Sequence, residues 1–236
     1  MTCVATPTLV KGSRSSRSTI ALKLLMAITG LVFLGYVLLH MYGNLKAFAG
    51  HDAFNEYAHH LRTIGEPLLP YAGVLWLVRV VLIVSLVLHV YAALKLWARA
   101  SGARSVRYQV KKNLGSSLSS RTMRWGGLAI LLFVVWHLIH FTIGKVNPSG
   151  GETADPYILL VESFELWWMT LIYLAAMLAL ALHLHHGVWS AAQSLGLTGT
   201  ARSRRNAKVL GTVAAVVIAG GFSLVPIFVL AGVISK

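Results

Sequence analysis

Five stretches of this 236-residue chain are apolar over the length of a long helix, and the links between them are polar. The first, residues 20–42, reads IALKLLMAITGLVFLGYVLLHMY, and the others fall at about 71–98, 123–143, 164–190 and 207–233. At 1.5 Å rise per residue a helical run of about 20 residues crosses a hydrocarbon layer of about 30 Å. No strand-like alternation competes with this pattern. The expected architecture is therefore all-α, a polytopic membrane protein with five transmembrane helices in one bundle over residues 20–233, preceded by a polar tail at 1–19. Two of the links carry structure of their own. Phe54, Tyr57, His60, Leu61 and Ile64 predict a short interfacial helix stopped by Pro67, and Tyr157 and Ile158 an apolar segment against the interface. Pro226 predicts a kink in the fifth span.

Composition agrees: 56% of residues are hydrophobic and 12% charged. The formal net charge of +14 would by itself suggest nucleic acid or acidic lipid as partner. Its placement says otherwise. Lys11, Arg14, Arg17 and Lys23 precede or open the first span. Lys95, Arg99, Arg104, Arg107, Lys111, Lys112, Arg121 and Arg124 surround the second link, and Arg202, Arg204, Arg205 and Lys208 fill the fourth. The acidic residues Asp52, Glu56, Glu66, Glu152, Asp155, Glu162 and Glu165 occupy the first and third links. Alternation of basic and acidic links puts the N-terminus in the cytoplasm and the C-terminus outside by the positive-inside rule. No compact basic fold remains for DNA or RNA. Residues 99–122 instead suit lipid headgroups and a soluble subunit. Cys3 is the only cysteine, which excludes an internal disulfide or a thiolate iron–sulfur site. The basic residues ahead of a long first span suit a retained anchor rather than a cleaved signal.

The chemistry lies with ten histidines. Four successive spans carry His40, His89, His137 or His140, and His183. Because alternate spans run in opposite directions, His40 and His137 fall toward the outer side and His89 and His183 toward the inner, two levels about 10 to 15 Å apart. Two imidazoles per level suit the axial positions of a haem iron, and haem b in particular because no CxxCH motif is present. Gly30, Gly35 and Gly187 could give clearance. The competing assignment is that these histidines only bridge packed helices. His137 and His140 share a helix face, and depth matching slightly favours His140. His185 and His186 read as interfacial or haem-propionate neighbours. Arg79, two turns into the second span, either snorkels or pairs with an anionic cofactor group.

With HMYGNL at His40, LHVYAALK at His89, WHLIHFT at His137 and HLHHGVWSAAQSLG at His183, the chain resembles the dihaem cytochrome b (b-558 type) membrane anchor of bacterial succinate dehydrogenase and fumarate reductase, in a mycobacterium-like form. The resemblance covers about residues 20–230. It implies two haems b, one between His40 and His137 at the outer level and one between His89 and His183 at the inner, with WHL favouring His137 over His140. It also implies a location in the bacterial plasma membrane and flavoprotein and iron–sulfur subunits on the cytoplasmic face. Electrons would pass from succinate through those subunits and the haems to menaquinone, or in reverse. A glutamate after the first span belongs to the quinone chemistry of that family. Glu56 and Glu66 are the candidates here, with Tyr57 and His60 beside them, although their spacing does not match cleanly. An additional small membrane subunit would leave no trace in this sequence. The alternatives are the cytochrome b anchor of another quinone-linked dehydrogenase, such as a hydrogenase or formate dehydrogenase, and a transporter using histidines as proton or metal relays.

Overall fold

The computed structural model describes residues 18–102, 118–143, 148 and 153–236. The basic tail with Cys3, the cations Arg104, Arg107, Lys111 and Lys112, and Glu152 lie outside the described residues. All regular structure among the described residues is helical: α1 (Thr19–Leu45), α2 (His51–Thr63), α3 (Gly73–Gly102), α4 (Leu118–His137), α5 (Pro156–Glu165), α6 (Trp167–Ser194) and α7 (Ala201–Leu230). Five of these helical stretches are long and apolar enough to cross a membrane.

Local chemistry sets the ends. Ser18 caps α1 by accepting from the Ala21 amide at 3.0 Å, and Asp155 caps α5 by accepting from Tyr157 and Ile158, with Pro156 in the first turn. The last span starts at Ala201, ahead of the expected 207, because Thr200 and Ser203 form a reciprocal capping box. The amphipathic α2 stops at Thr63, four residues before Pro67, where Ile64 leaves the helical region and Gly65 takes a φ of 95°. Pro226 lies inside α7.

The segment around Tyr157 was expected at the interface, but it is core. Tyr157, Leu160, Val161 and Phe164 of α5 are buried with Ala47, Met169, Tyr173, Val225 and Val229 in the largest apolar cluster. A break at extended Leu166 separates α5 from α6, so Phe164 belongs to the plug and the span begins at Trp167. α2 closes the same end, which holds the acidic links, and is tied to α5. His51 Nε2 stands 2.8 Å from Asp155 Oδ2, and Asn55 Nδ2 donates to that same oxygen at 2.7 Å.

The spans form an open frame. α1 packs on α3 and α6, and α4 packs on α6, whereas α3 and α4 share no extended contact among the described residues. α7 buttresses α6 and α1 from outside. At its crossing with α6 a Cβ on Gly211 would stand 2.7 Å from the His185 carbonyl oxygen, so only glycine permits that approach.

The α2–α5 tie is pH-sensitive. Hydrogen bonds donated to the Asp52 and Asp155 carboxylates raise His51 above its ordinary value of 6.5. Burial works to raise Asp155, but it is outweighed by donors on Ile158, Asn55 and His51, which hold the carboxyl low. The folded state thus binds the His51 proton more tightly than the unfolded state does, and that contribution, full below pH 6.5, is lost as pH rises through the raised value. Hydrogen exchange in α2, corrected for intrinsic rate, should therefore rise with pH across this range in the wild type. In His51→Ala the protection should be low and independent of pH.

Candidate functional site: two histidine pairs across the bundle

Opposite corners of the frame meet through imidazole rings. His40 of α1 and His137 of α4 lie with centroids 5.8 Å apart and planes at 76°. His89 of α3 and His183 of α6 lie 6.3 Å apart at 53°. Each of these four side chains is half-buried. The two levels follow from α1, where Gly30 touches one pair and His40 belongs to the other. Ten residues of helix separate them by about 15 Å.

The two helices that carry the His40–His137 pair repeat one pattern. Gly30, Tyr36 and His40 in α1 match Gly127, Phe133 and His137 in α4, a Gly-x5-aromatic-x3-His spacing in both. Tyr36 stacks on His40 at 5.4 Å and 11°, and Phe133 lies 5.8 Å from His137 at 31°. Each glycine in turn supports a histidine of the other pair. A Cβ on Gly30 would meet His89 Cε1 at 3.5 Å, and one on Gly127 would meet His183 Cε1 at 3.7 Å. Gly30 is therefore a packing seat, while Gly35 and Gly187 have nothing within 4 Å of a Cβ. Gly127 was missed by sequence reasoning, although the repeated spacing would have found it.

Hydrogen bonding separates ligand-capable nitrogens from occupied ones. Thr29 Oγ1 donates its single proton to the Leu25 or Met26 carbonyl, at 2.8 and 3.2 Å. It must therefore accept from His89 Nδ1 at 3.0 Å, which leaves His89 Nε2 with a lone pair. The residue in α4 that matches Thr29 is Gly126, and His183 Nδ1 is buried with no hydrogen-bond partner. His140, in contrast, is 0% exposed, with Nδ1 3.1 Å from the Tyr173 hydroxyl and Nε2 2.9 Å from Ser163 Oγ. Both of its nitrogens are engaged. A widened π-helical turn, Leu138–Ile143, starts directly after His137 and carries His140 into the α5 core.

The other sequence candidates take other direct partners, although His186 lies close enough to His183 to act on it electrostatically, as Arg79 and Tyr57 do on Tyr36. His185 Nδ1 is 3.0 Å from Ser119 Oγ, tying α6 to α4, and His186 is half-buried. Arg79 stacks over Trp76 at 4.8 Å on its own helix. Glu56, Glu66 and His60 are exposed. Tyr57 packs under Gly43, where a Cβ would stand 2.8 Å from its ring.

The residues present fit haem. A metal–imidazole bond of about 2 Å on each side places two axial ring centres roughly 6 Å apart, near both observed spacings. Among the described residues no group of three or more His, Cys, Asp or Glu side chains could hold a metal ion. A tetrahedral zinc site therefore lacks its donors, whereas a macrocycle that brings four of its own needs only two.

No family model, curated protein or solved structure matches the chain. The functional reading accordingly rests on this geometry and on the resemblance in its motifs.

Proposed function

We propose that this chain is the dihaem cytochrome b anchor of a succinate:menaquinone oxidoreductase. The observation that carries the proposal is the meeting of four histidines from four spans as two cross-bundle pairs at two depths. His40 and His137 would hold one haem b, and His89 and His183 the other. His140 is set aside as a ligand because both its nitrogens are used. Held by these histidines, haem b would supply reversible one-electron transfer at its iron.

The chain's own contribution is orientation and exclusion. Thr29 holds His89 with its Nε2 lone pair available, Tyr36 and Phe133 pack on His40 and His137, and the apolar spans keep water and free charge from both levels. The end with Arg99, Arg124 and Lys208 would face the cytoplasm and receive the flavoprotein and iron–sulfur subunits, by the positive-inside rule and by the resemblance. Arg124 lies over Trp97 at 5.1 Å and Lys208 over Trp189 at 5.2 Å, as interfacial anchors do. The plugged, acidic end would face outward. Menaquinone as acceptor rests on the resemblance alone.

The protein purified with its complex should contain close to two haems b per chain and show sharp reduced cytochrome b bands on adding succinate. A ratio near zero would refute the cytochrome reading, and reduction by formate or hydrogen but not succinate would identify a different dehydrogenase. His89→Leu and His183→Leu should each remove the same one of the two haems, and His40→Leu and His137→Leu the other, read from the redox titration. Retention of both haems in any of these variants refutes the pairing.

A further inference from the structure

His140, Tyr173 and Ser163 have no part in the proposed ligation, yet with His137 they form one unbranched row of hydrogen bonds at the plugged end. Its proton order can be worked out from the far end. Ser163 Oγ lies 2.5 Å from the Leu159 carbonyl oxygen, a separation two oxygens reach only with a proton between them, so the hydroxyl donates there. With that proton spent, Ser163 accepts from His140 Nε2 at 2.9 Å.

The remaining steps follow from neutrality. His140 is wholly buried among Trp136, Phe141 and Tyr173, and no carboxylate among the described residues acts on it. A charged imidazolium would be costly in that setting. With its proton on Nε2, neutral His140 offers Nδ1 as an acceptor, and the Tyr173 hydroxyl donates to it at 3.1 Å. The Tyr173 oxygen is then left to accept from His137 Nδ1, at 3.4 Å.

We infer that this row is a tautomer relay, in which the Leu159 carbonyl, acting through Ser163, His140 and Tyr173, fixes the proton of His137 on Nδ1 and leaves Nε2 as its lone-pair nitrogen. Tyr173 is the positioning residue. His89 obtains the same tautomer from one threonine on a neighbouring helix, whereas His137 obtains it through three side chains anchored in the α5 plug. The proton order stands on the hydrogen bonds alone, while its effect on iron rests on the haem reading above. An acceptor at Nδ1–H makes an axial imidazole a stronger donor to iron and lowers the reduction potential of its haem.

The test is 15N-histidine NMR on the full-length chain in liposomes in its haem-free form, because iron held at Nε2 would by itself place the His137 proton on Nδ1. Resonances are assigned through His137→Gln and His140→Gln. His137 should carry its proton on Nδ1 and His140 on Nε2, opposite tautomers three residues apart. Tyr173→Phe should release the His137 preference and, in the haem-loaded complex, raise the potential of the haem lost in His137→Leu while leaving the other in place. Should Tyr173→Phe fail to fold, Ser163→Ala reads the same relay: His140 loses its single tautomer, and Ser163→Thr restores it. The same tautomer at both histidines, or no change of tautomer and potential in Tyr173→Phe and Ser163→Ala, would overturn the relay. Absence of haem with opposite tautomers intact would refute the proposed function and leave the relay standing.

Discussion

An imidazole in a membrane-spanning bundle brings two nitrogens of opposite character, one donor and one acceptor. With no water nearby, each must be answered by protein or ligand. This constraint accounts for most polar choices in the chain. His140 has both nitrogens answered by side chains and serves as structure. His89 and His137 each have Nδ1 answered by a hydroxyl, so the other nitrogen remains for something between the helices. His183 is the exception, because the hydroxyl that its counterpart enjoys is replaced by Gly126.

The scaffold meets this constraint by repetition. Gly30, Tyr36 and His40 in α1 recur as Gly127, Phe133 and His137 in α4, so each helix both contributes a ligand candidate at one level and seats a histidine at the other. The aromatic residue one turn before each histidine limits its ring, and the glycine lets a neighbouring ring approach the backbone. Outside this frame α7 supplies apolar bulk without histidine, and α5 fills one end with the larger buried apolar cluster among the described residues. That cluster lies on the His137 side of the site, while the Thr29–His89 contact joins two helices alone.

Much of this was legible in the sequence. Five apolar runs dictate five long helices because a backbone in lipid must satisfy itself, and helix direction alone sorts His40 with His137 and His89 with His183. Helix geometry left the choice between His137 and His140 open, since residues three apart on an ideal helix share a face, and only the WHL resemblance favoured His137. What sets their surroundings apart is a widened turn, with Ser163 and Tyr173 approaching His140 from other helices and carrying no local signal. Tyr157 was misplaced for a related reason: a ten-residue apolar segment between spans reads as interfacial by composition, and only its burial against Ala47, Val225 and Val229 reveals a plug. The Gly-x5-aromatic-x3-His repeat, by contrast, was present in the sequence and needed only the comparison of two spans.

The thin contact between α3 and α4 has a mechanical meaning. Four rods joined along three sides form an open chain with one hinge at α1 and another at α6. The α3–α6 diagonal depends on the angle at α1 and the α1–α4 diagonal on the angle at α6, so the corners at one depth can spread without drawing in those at the other. The two levels, though carried on the same rods, are mechanically independent.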